Sequence, residues 1–510
     1  MKTLQELCYP RDSIFNQTVN DEVLDLTNLI EGTIDPEEFF NENFITEGMD
    51  TLLNTSFERF AGKSSRGLIR LTQSMGGGKT HNMIALGLLS KYPEYRERII
   101  NRSSALSEIG EVEVIAFTGR QSDAPYGIWG SIAEQLGKKE FFNDYYSPLK
   151  APGLTAWINL LKGTPKIILF DELPPYLENA KSVGIGNTDL SVVTVTALSN
   201  LFTALNKPEL SNVLVVISDL KATYQTGSAL LQSSFNDLDN EINRGALDIV
   251  PVNSTSDEIY KILKTRIFKH LPSENEIVEI SNAYKEAVSK AKQMNFTTYS
   301  PEKVFVEIQE FYPFHPSIKP LYERFKENVG FQQTRGIIRL MRLLVKKLYS
   351  TNKAKSKYLI NVFDFDLNDS ETLTMISQIK PSLIPAISHD IANNGRSIAE
   401  TIDSSNQDTN MQDLSKLLLV SSLADIPNAL LGLPVNEIIS YLCEPNRDII
   451  QIKKAIDQFL SEAWYIHTDK DGRFFFQQTK NLIAELNSLV NSFDNRSEEH
   501  TSELQSPNTI

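Results

Sequence analysis

Five short apolar runs punctuate the first half of the chain. They are "GLIRLT" (67–72), "VEVIAFT" (112–118), "KIILF" (166–170), "NVLVVIS" (212–218) and "LDIVPV" (247–252). The third and fourth have almost no polar interruption, as strands buried on both faces do. Helix-period stretches alternate with them, among them 79–91, 126–137 and 190–206. Residues 1–66 are mixed and polar, with short helices predicted around 21–30 and 47–60. Strand and helix in alternation predict an α/β fold built on a five-stranded parallel sheet. Beyond Val252 the period is helical as far as about Tyr349. A polar stretch over 394–412 reads as a linker or loop. Three further helical patterns follow, "DLSKLLLVSSLA", "VNEIISYL" and "DIIQIKKAIDQFLSEA", and then "WYIHTDKDGRFFFQQ". In the last, two β-like runs flank the turn signal "DKDG". Three helices and a hairpin are the parts of a winged helix. The pattern divides the chain into a helical lead-in (1–66), an α/β domain (67–253), an α-helical lid (254–375), a helical or linker segment (376–412) and a winged-helix-like domain (413–490). No repeat of fixed period appears.

Composition narrows the class. At 510 residues, with 41% apolar and 23% charged, the chain is long enough for more than one domain with a sizeable core. A formal charge of -15 excludes a surface that is basic throughout, though not a local basic face. Only Cys8 and Cys443 occur, which gives no disulfide framework and no zinc spacing and fits a reducing compartment. The start, "MKTLQELCYPRD", lacks the apolar core of a signal peptide, and no membrane-length apolar run follows; the expectation is a cytoplasmic protein without a membrane partner. "RSEEHTSELQS", Arg496–Ser506, matches the in-frame translation of a common DNA-sequencing adapter. Residues 496–510 are therefore set aside, and the natural sequence is expected to stop near Asn495, with its true C-terminal part missing.

Candidate chemistry sits at the strand ends. "LTQSMGGGKTHNMIALGLL" joins the first strand to a helix and carries Gly76, Gly77, Gly78, Lys79, Thr80 and His81. Glycines let the backbone form a nest of N–H groups, and the following helix aims its own N–H groups at the same point. Such a loop binds the phosphates of ATP, with the lysine on the β- and γ-phosphates and the threonine hydroxyl on Mg²⁺. The usual pattern, G-x-x-x-x-G-K-[ST], asks for glycine where Gln73 stands. "KIILFDELPPYL" puts Asp171 and Glu172 at the end of the third strand. In a parallel sheet that is the ligand-binding end. Asp171 suits the metal's water shell, and Glu172 suits activation of an attacking water. The fourth strand ends in Ser218 and Asp219, either of which would lie beside the γ-phosphate if that strand runs between the first and third; a simple Ser-Asp turn reads the same way. Arg244, just before the fifth strand, reads either as a surface arginine or as a finger reaching a neighbouring subunit's nucleotide. On "FQQTRGIIRLMRLLVKKLY", Ile337, Met341, Leu344 and Leu348 form an apolar face. Arg335, Arg339, Arg342 and Lys346 form a basic one, either solvated or offering one arginine to the γ-phosphate. His315 in "YPFHP" reads as a packed residue.

This set resembles the AAA+ ATPases: phosphate loop, "LFDE", a polar fourth-strand tip, an arginine before strand five and a helical region with "GIIR". Gly336 and Arg339 fit the family's G-x-x-R lid motif, which would make Arg339 a nucleotide sensor. "MGGGKTHNMIALGLL", "IWGSIAEQLG", "ILFDELPPYL", "YPFHPSIKPLYERF" and "FQQTRGIIRLM" together look like a family of large bacterial ATPases first catalogued as a domain of unknown function. Its members lie in anti-phage defence islands beside DNA methyltransferases and helicases, and are related to the ATPase of bacteriophage-exclusion systems. The resemblance implies ATP and Mg²⁺ as ligands, defence-system partners such as a methyltransferase or helicase, direct or indirect contact with DNA, and room for a homo-oligomer. It leaves two functions open. One is a hydrolysing motor or switch. The other is a STAND-like module that holds nucleotide as a latch and hydrolyses poorly. The winged-helix stretch does not decide on DNA, since Lys453, Lys454, Lys470 and Arg473 are offset by Asp448, Asp457, Glu462, Asp469 and Asp471.

Overall fold

The computed structural model describes residues 1–16, 24–73, 76–100, 109–120, 123–220, 232–253, 257–482 and 486. The adapter-like segment 496–510 lies outside the described residues. The chain forms two compact units: Thr18–Thr265, and Met1–Gln17 together with Arg266–Ile510.

The first unit is an α/β sandwich. Its elements run α1 (Leu26–Glu31), α2 (Pro36–Glu42), α3 (Glu47–Phe60), β1 (Leu68–Leu71), α4 (Lys79–Lys91), β2 (Glu113–Thr118), α5 (Gly127–Gln135), α6 (Leu154–Leu161), β3 (Lys166–Asp171), α7 (Leu173–Lys181), α8 (Leu190–Ala204), β4 (Val213–Ser218), α9 (Gln232–Gly245) and β5 (Leu247–Ile249). The strands make one parallel sheet in the order β2-β3-β4-β1-β5. Every residue of β3 and β4 is buried, which is why those two runs carry no alternation. Successive side chains go to opposite faces. Ile168, Phe170, Val215 and Ile217 enter a core with Trp129, Trp157 and Leu198. Ile167, Leu169, Leu214 and Val216 enter the other, with Leu52, Phe57, Met83 and Leu86. The helices expected as a lead-in therefore pack, together with α4, on one face of the sheet.

Register sets the site. Leu71 of β1 lies opposite Ser218 of β4, and Phe170 of β3 lies opposite Ile217. The glycine-rich loop, Asp171 and Ser218 consequently leave the sheet side by side, at its carboxyl edge.

The second unit is mostly helical. It contains α10 (Glu274–Gln293), α11 (Pro301–Phe311), α12 (Ile318–Phe325), α13 (Gln333–Ser350), α14 (Ser370–Ile379), α15 (Ile398–Asn406), α16 (Asn410–Ser421), α17 (Val435–Leu442) and α18 (Ile449–Glu462). A hairpin of β6 (Ile466–Thr468) and β7 (Phe474–Phe476) follows, with Leu433 bridging to Phe474. Ile337, Met341, Leu344 and Leu348 are all buried, as their spacing predicts. The stretch 394–412, expected as a linker, instead holds α15 and the start of α16. Caps explain the difference. Ser397 and Glu400 form a capping box, and Glu400 also accepts the N–H groups of Asn393 and Gly395 at 2.8 and 3.0 Å. A helix held by its caps, with Ala399 and Ile402 inward, needs few apolar residues.

Candidate nucleotide site

Gly76 and Gly78 have φ of +82° and +89°, a region closed to most side chains, and Gly78 caps α4. Gly77 is different: its φ is ordinary, but a Cβ there would collide with the Gln73 side chain. Lys79 is buried against the loop, and its Nζ donates to the Gln73 carbonyl at 2.5 Å. The Thr80 hydroxyl donates to Asp171 Oδ2 at 2.5 Å, tying the loop to the end of β3.

Asp171 is 4% exposed. Burial pushes its carboxyl above the usual range, while hydrogen bonds from Thr80 and Ser218 and the charge of Lys79 pull it back. Burial pushes the Lys79 ammonium down, and Asp171, Asp219 and Glu172 oppose that. Both ionised forms are thus penalised where they stand, and a multivalent anion with its cation would relieve both. Thr80 and Asp171 offer two oxygen donors, the chemistry of a hard dication.

Glu172 follows with φ +48°, a left-handed conformation rare outside glycine. Its N–H donates to Asp171 Oδ1 at 3.0 Å and to Ser218 Oγ at 3.1 Å. Gly119, just past β2, donates its N–H to the Asp171 carbonyl at 2.8 Å, and a Cβ on it would overlap the Glu172 carbonyl. The Glu172 carboxylate is ion-paired to Arg120. Arg120 also lines a cavity of about 330 Å³ with Phe117, Asp123, Tyr126, Ser131 and Glu134.

Lys79, Thr80, Asp171, Glu172 and Ser218 are thus brought together. Ser218 is buried, and Asp219 bonds through its N–H to the Leu71 carbonyl at 3.0 Å, so both fourth-strand candidates stand at this edge. The His81 ring goes elsewhere, bonded to Asn43 at 2.5 Å and stacked on Phe39. Arg244 is 74% exposed and paired with Glu241 at 2.6 Å, as a surface arginine would be. Arg339 belongs to the helical unit, on the exposed face of α13. A Cβ at Gly336 would strike the Phe331 carbonyl, so the glycine of that motif answers to a tight turn before the helix. His315 is buried and neutral, its Nδ1 accepting the Ser317 N–H at 3.1 Å. Sequence reasoning missed Gly119 and Arg120. The signal was present: they follow directly on the predicted strand 112–118, at the edge that carries the other site residues.

No helix among the described residues is long and apolar enough to cross a membrane. Among solved structures the chain is similar to Cdc6p from Pyrobaculum aerophilum, at 11% identity and a TM-score of 0.33 over 95% of this chain and 99% of that one. It is similar to the Aeropyrum pernix ORC2 protein at 12% and 0.31, over 96% and 100%. For Drosophila ORC bound to DNA the figures are 10% and 0.29, over 91% and 87%. No curated protein matches the chain. Family models do match: the DUF499 N-terminal domain over residues 7–254 and the DUF499 second domain over residues 254–476. With its strand-end site inside the first match and its helical unit largely inside the second, the chain carries the two DUF499 domains in tandem.

Proposed function

We propose that the chain binds ATP with Mg²⁺ at the edge formed by β1, β3 and β4, hydrolyses it, and works as an AAA+-like motor or conformational switch. The observation that carries this reading is the Thr80–Asp171 hydrogen bond beside Lys79. It joins a glycine-rich loop, a helix N-terminus and a buried strand-end carboxylate in one place. The N–H groups of residues 76–80 would cradle the phosphates and Lys79 would neutralise them. Thr80 and the water shell on Asp171 would hold the cation, which supplies charge neutralisation and a fixed template. Glu172 would orient and deprotonate the attacking water, with Ser218 fixing its backbone from β4. Arg244, exposed, would exchange Glu241 for a neighbouring copy's nucleotide, and Arg339 would serve as a sensor. The resemblance noted above supports a setting in a bacterial DNA-associated, anti-phage defence complex with a methyltransferase or helicase.

For residues 413–490 a docking role is favoured over direct DNA contact. Arg473 is bonded to the Gly432 carbonyl and paired with Glu437, and Lys453 is paired with Asp457. Basic side chains so engaged have less to give to phosphates.

A second reading, the hydrolysis-poor latch, is favoured by one observation: the Glu172 carboxylate is held in an ion pair by Arg120. Turnover of wild type and Glu172→Gln, with and without duplex DNA, separates the two. The motor reading expects the variant to lose about two to four orders of magnitude in rate while still binding nucleotide. Equal, negligible rates with nucleotide retained through purification would favour the latch.

A further inference from the structure

We propose that Gln73 is a positioning residue that couples occupancy of the phosphate loop to the segment leaving β5, residues 250–253; this rests on the reading of the loop as a nucleotide site. Gln73 stands where the general loop pattern has glycine, and both ends of its side-chain amide are bonded. Its Nε2 donates to the Val252 carbonyl at 3.1 Å, and its Oε1 accepts the Val252 N–H at 3.1 Å. Strand pairing between β1 and β5 ends with Leu71 opposite Ile249, followed by one more bond from the Thr72 N–H to the Ile249 carbonyl at 2.9 Å. The Gln73 amide thus continues the ladder by side chain where the backbones part. Glycine there would leave both Val252 groups without this partner.

The same residue faces the site. Its carbonyl accepts Lys79 Nζ, and its side chain fills the space over Gly77. The middle glycine of the loop, Gly77, is therefore required by the glutamine, not by its own backbone angle. The far side of the coupling is equally tied down. Thr46 donates to the Pro251 carbonyl at 2.5 Å. Glu258 accepts the N–H groups of Asn253 at 3.1 Å and Glu47 at 2.6 Å. Glu258 opens the helix Glu258–Ile267, within which the α/β unit ends at Thr265. Hydrogen bonds and the 251–253 backbone thus link the lysine to Glu258, the physical requirement for coupling.

The lysine decides the direction. A triphosphate draws Lys79 Nζ off the Gln73 carbonyl, releasing the foot of the loop and weakening the two bonds to Val252. Ordinary ligand stabilisation slows amide exchange throughout a domain; here one segment should go the other way.

The test is amide hydrogen exchange on the full chain, with and without Mg²⁺ and a non-hydrolysable ATP analogue. We expect the Val252 amide to exchange roughly two- to tenfold faster with nucleotide, the scale of one or two such bonds, while the rest of the sheet slows. In Gln73→Met it should exchange fast in both states. Gly77→Ala, whose Cβ must push Gln73 aside, should behave like Gln73→Met. Wild-type Val252 slowing along with its surroundings, or a response that survives in both variants, would overturn the coupling and leave the nucleotide site standing. Absence of nucleotide binding by wild type would remove the site and the coupling together.

Discussion

Glu172 is held from two directions. Its backbone, at φ +48°, is fixed by the bonds of its N–H to Asp171 and Ser218 and by the closeness of Gly119. A left-handed non-glycine residue costs on the order of 1–3 kcal/mol and persists only when its surroundings over-determine it. Its side chain is held by Arg120, a pair in which the arginine is 69% exposed and the glutamate 27%. Exposure limits the worth of that pair to about 1 kcal/mol or less. Freeing the carboxylate should therefore matter modestly. Arg120→Ala is expected to raise ATP turnover about two- to fivefold with nucleotide affinity unchanged, as steady-state rates and a separate binding titration would show. A fall in turnover would mean that Arg120 assists the reaction instead of restraining its base. Lys79, Thr80, Asp171 and Glu172 were legible in the sequence because phosphate chemistry demands those residue types in strand–loop–helix order. Arg120 was not, because an arginine after a strand has no pattern of its own; only the pairing of β2 with β3 gives it a partner.

At the scale of elements, adjacent strand tips depend on one another. Thr118 of β2 lies opposite Asp171 of β3, so Gly119 and Glu172 must pass each other where both strands end. Gly119→Ala forces the two backbones apart. The expected result is a loss of roughly 1–3 kcal/mol in stability, read from urea unfolding, together with a drop in turnover larger than the loss of folded protein explains. Stability and turnover both unchanged would show that the close approach has no consequence. Elements with strong periodicity were legible: α4 covers 79–91 as its pattern predicts, and β3 and β4 carry the apolar runs of fully buried strands. The helix α15 was not, since its stability comes from Ser397, Glu400 and the loop N–H groups they satisfy. Caps of that kind look like loop composition until the backbone is seen to curl around them.

At the scale of the whole molecule, each compact unit carries its own pH dependence, of opposite sign. In the helical unit, burial lowers His315 from its usual 6.5 to about 3. Between those values the unfolded chain binds a proton that the native state refuses, so stability is lost as pH falls from about 6.5 toward about 3. At pH 4.5 the loss from this residue should reach about 2–3 kcal/mol. His315→Asn, which keeps an acceptor for the Ser317 N–H, should cost stability at pH 7 and flatten the dependence between pH 7 and 4.5. Urea midpoints at the two pH values check this; an equally steep fall in the variant would place the acid sensitivity elsewhere. In the α/β unit, Asp171 works in the opposite sense. A carboxyl raised by burial holds its proton longer in the native state, so its stabilising effect is greatest at low pH and is lost as pH rises through its folded value.

The sequence by itself determined the α/β class, the parallel strands, the glycine-rich loop between strand and helix and the acidic strand end, because period and residue type are local properties of the chain. It also marked Gln73 as out of pattern without saying why. Only the tertiary structure decided that β4 lies between β1 and β3, that Arg120 meets Glu172, that Gly119 and Gly77 are required by neighbours, and that Gln73 binds Val252. Each of these depends on which strands pair and in what register. Those choices bring together residues far apart in the chain, and no local pattern carries them.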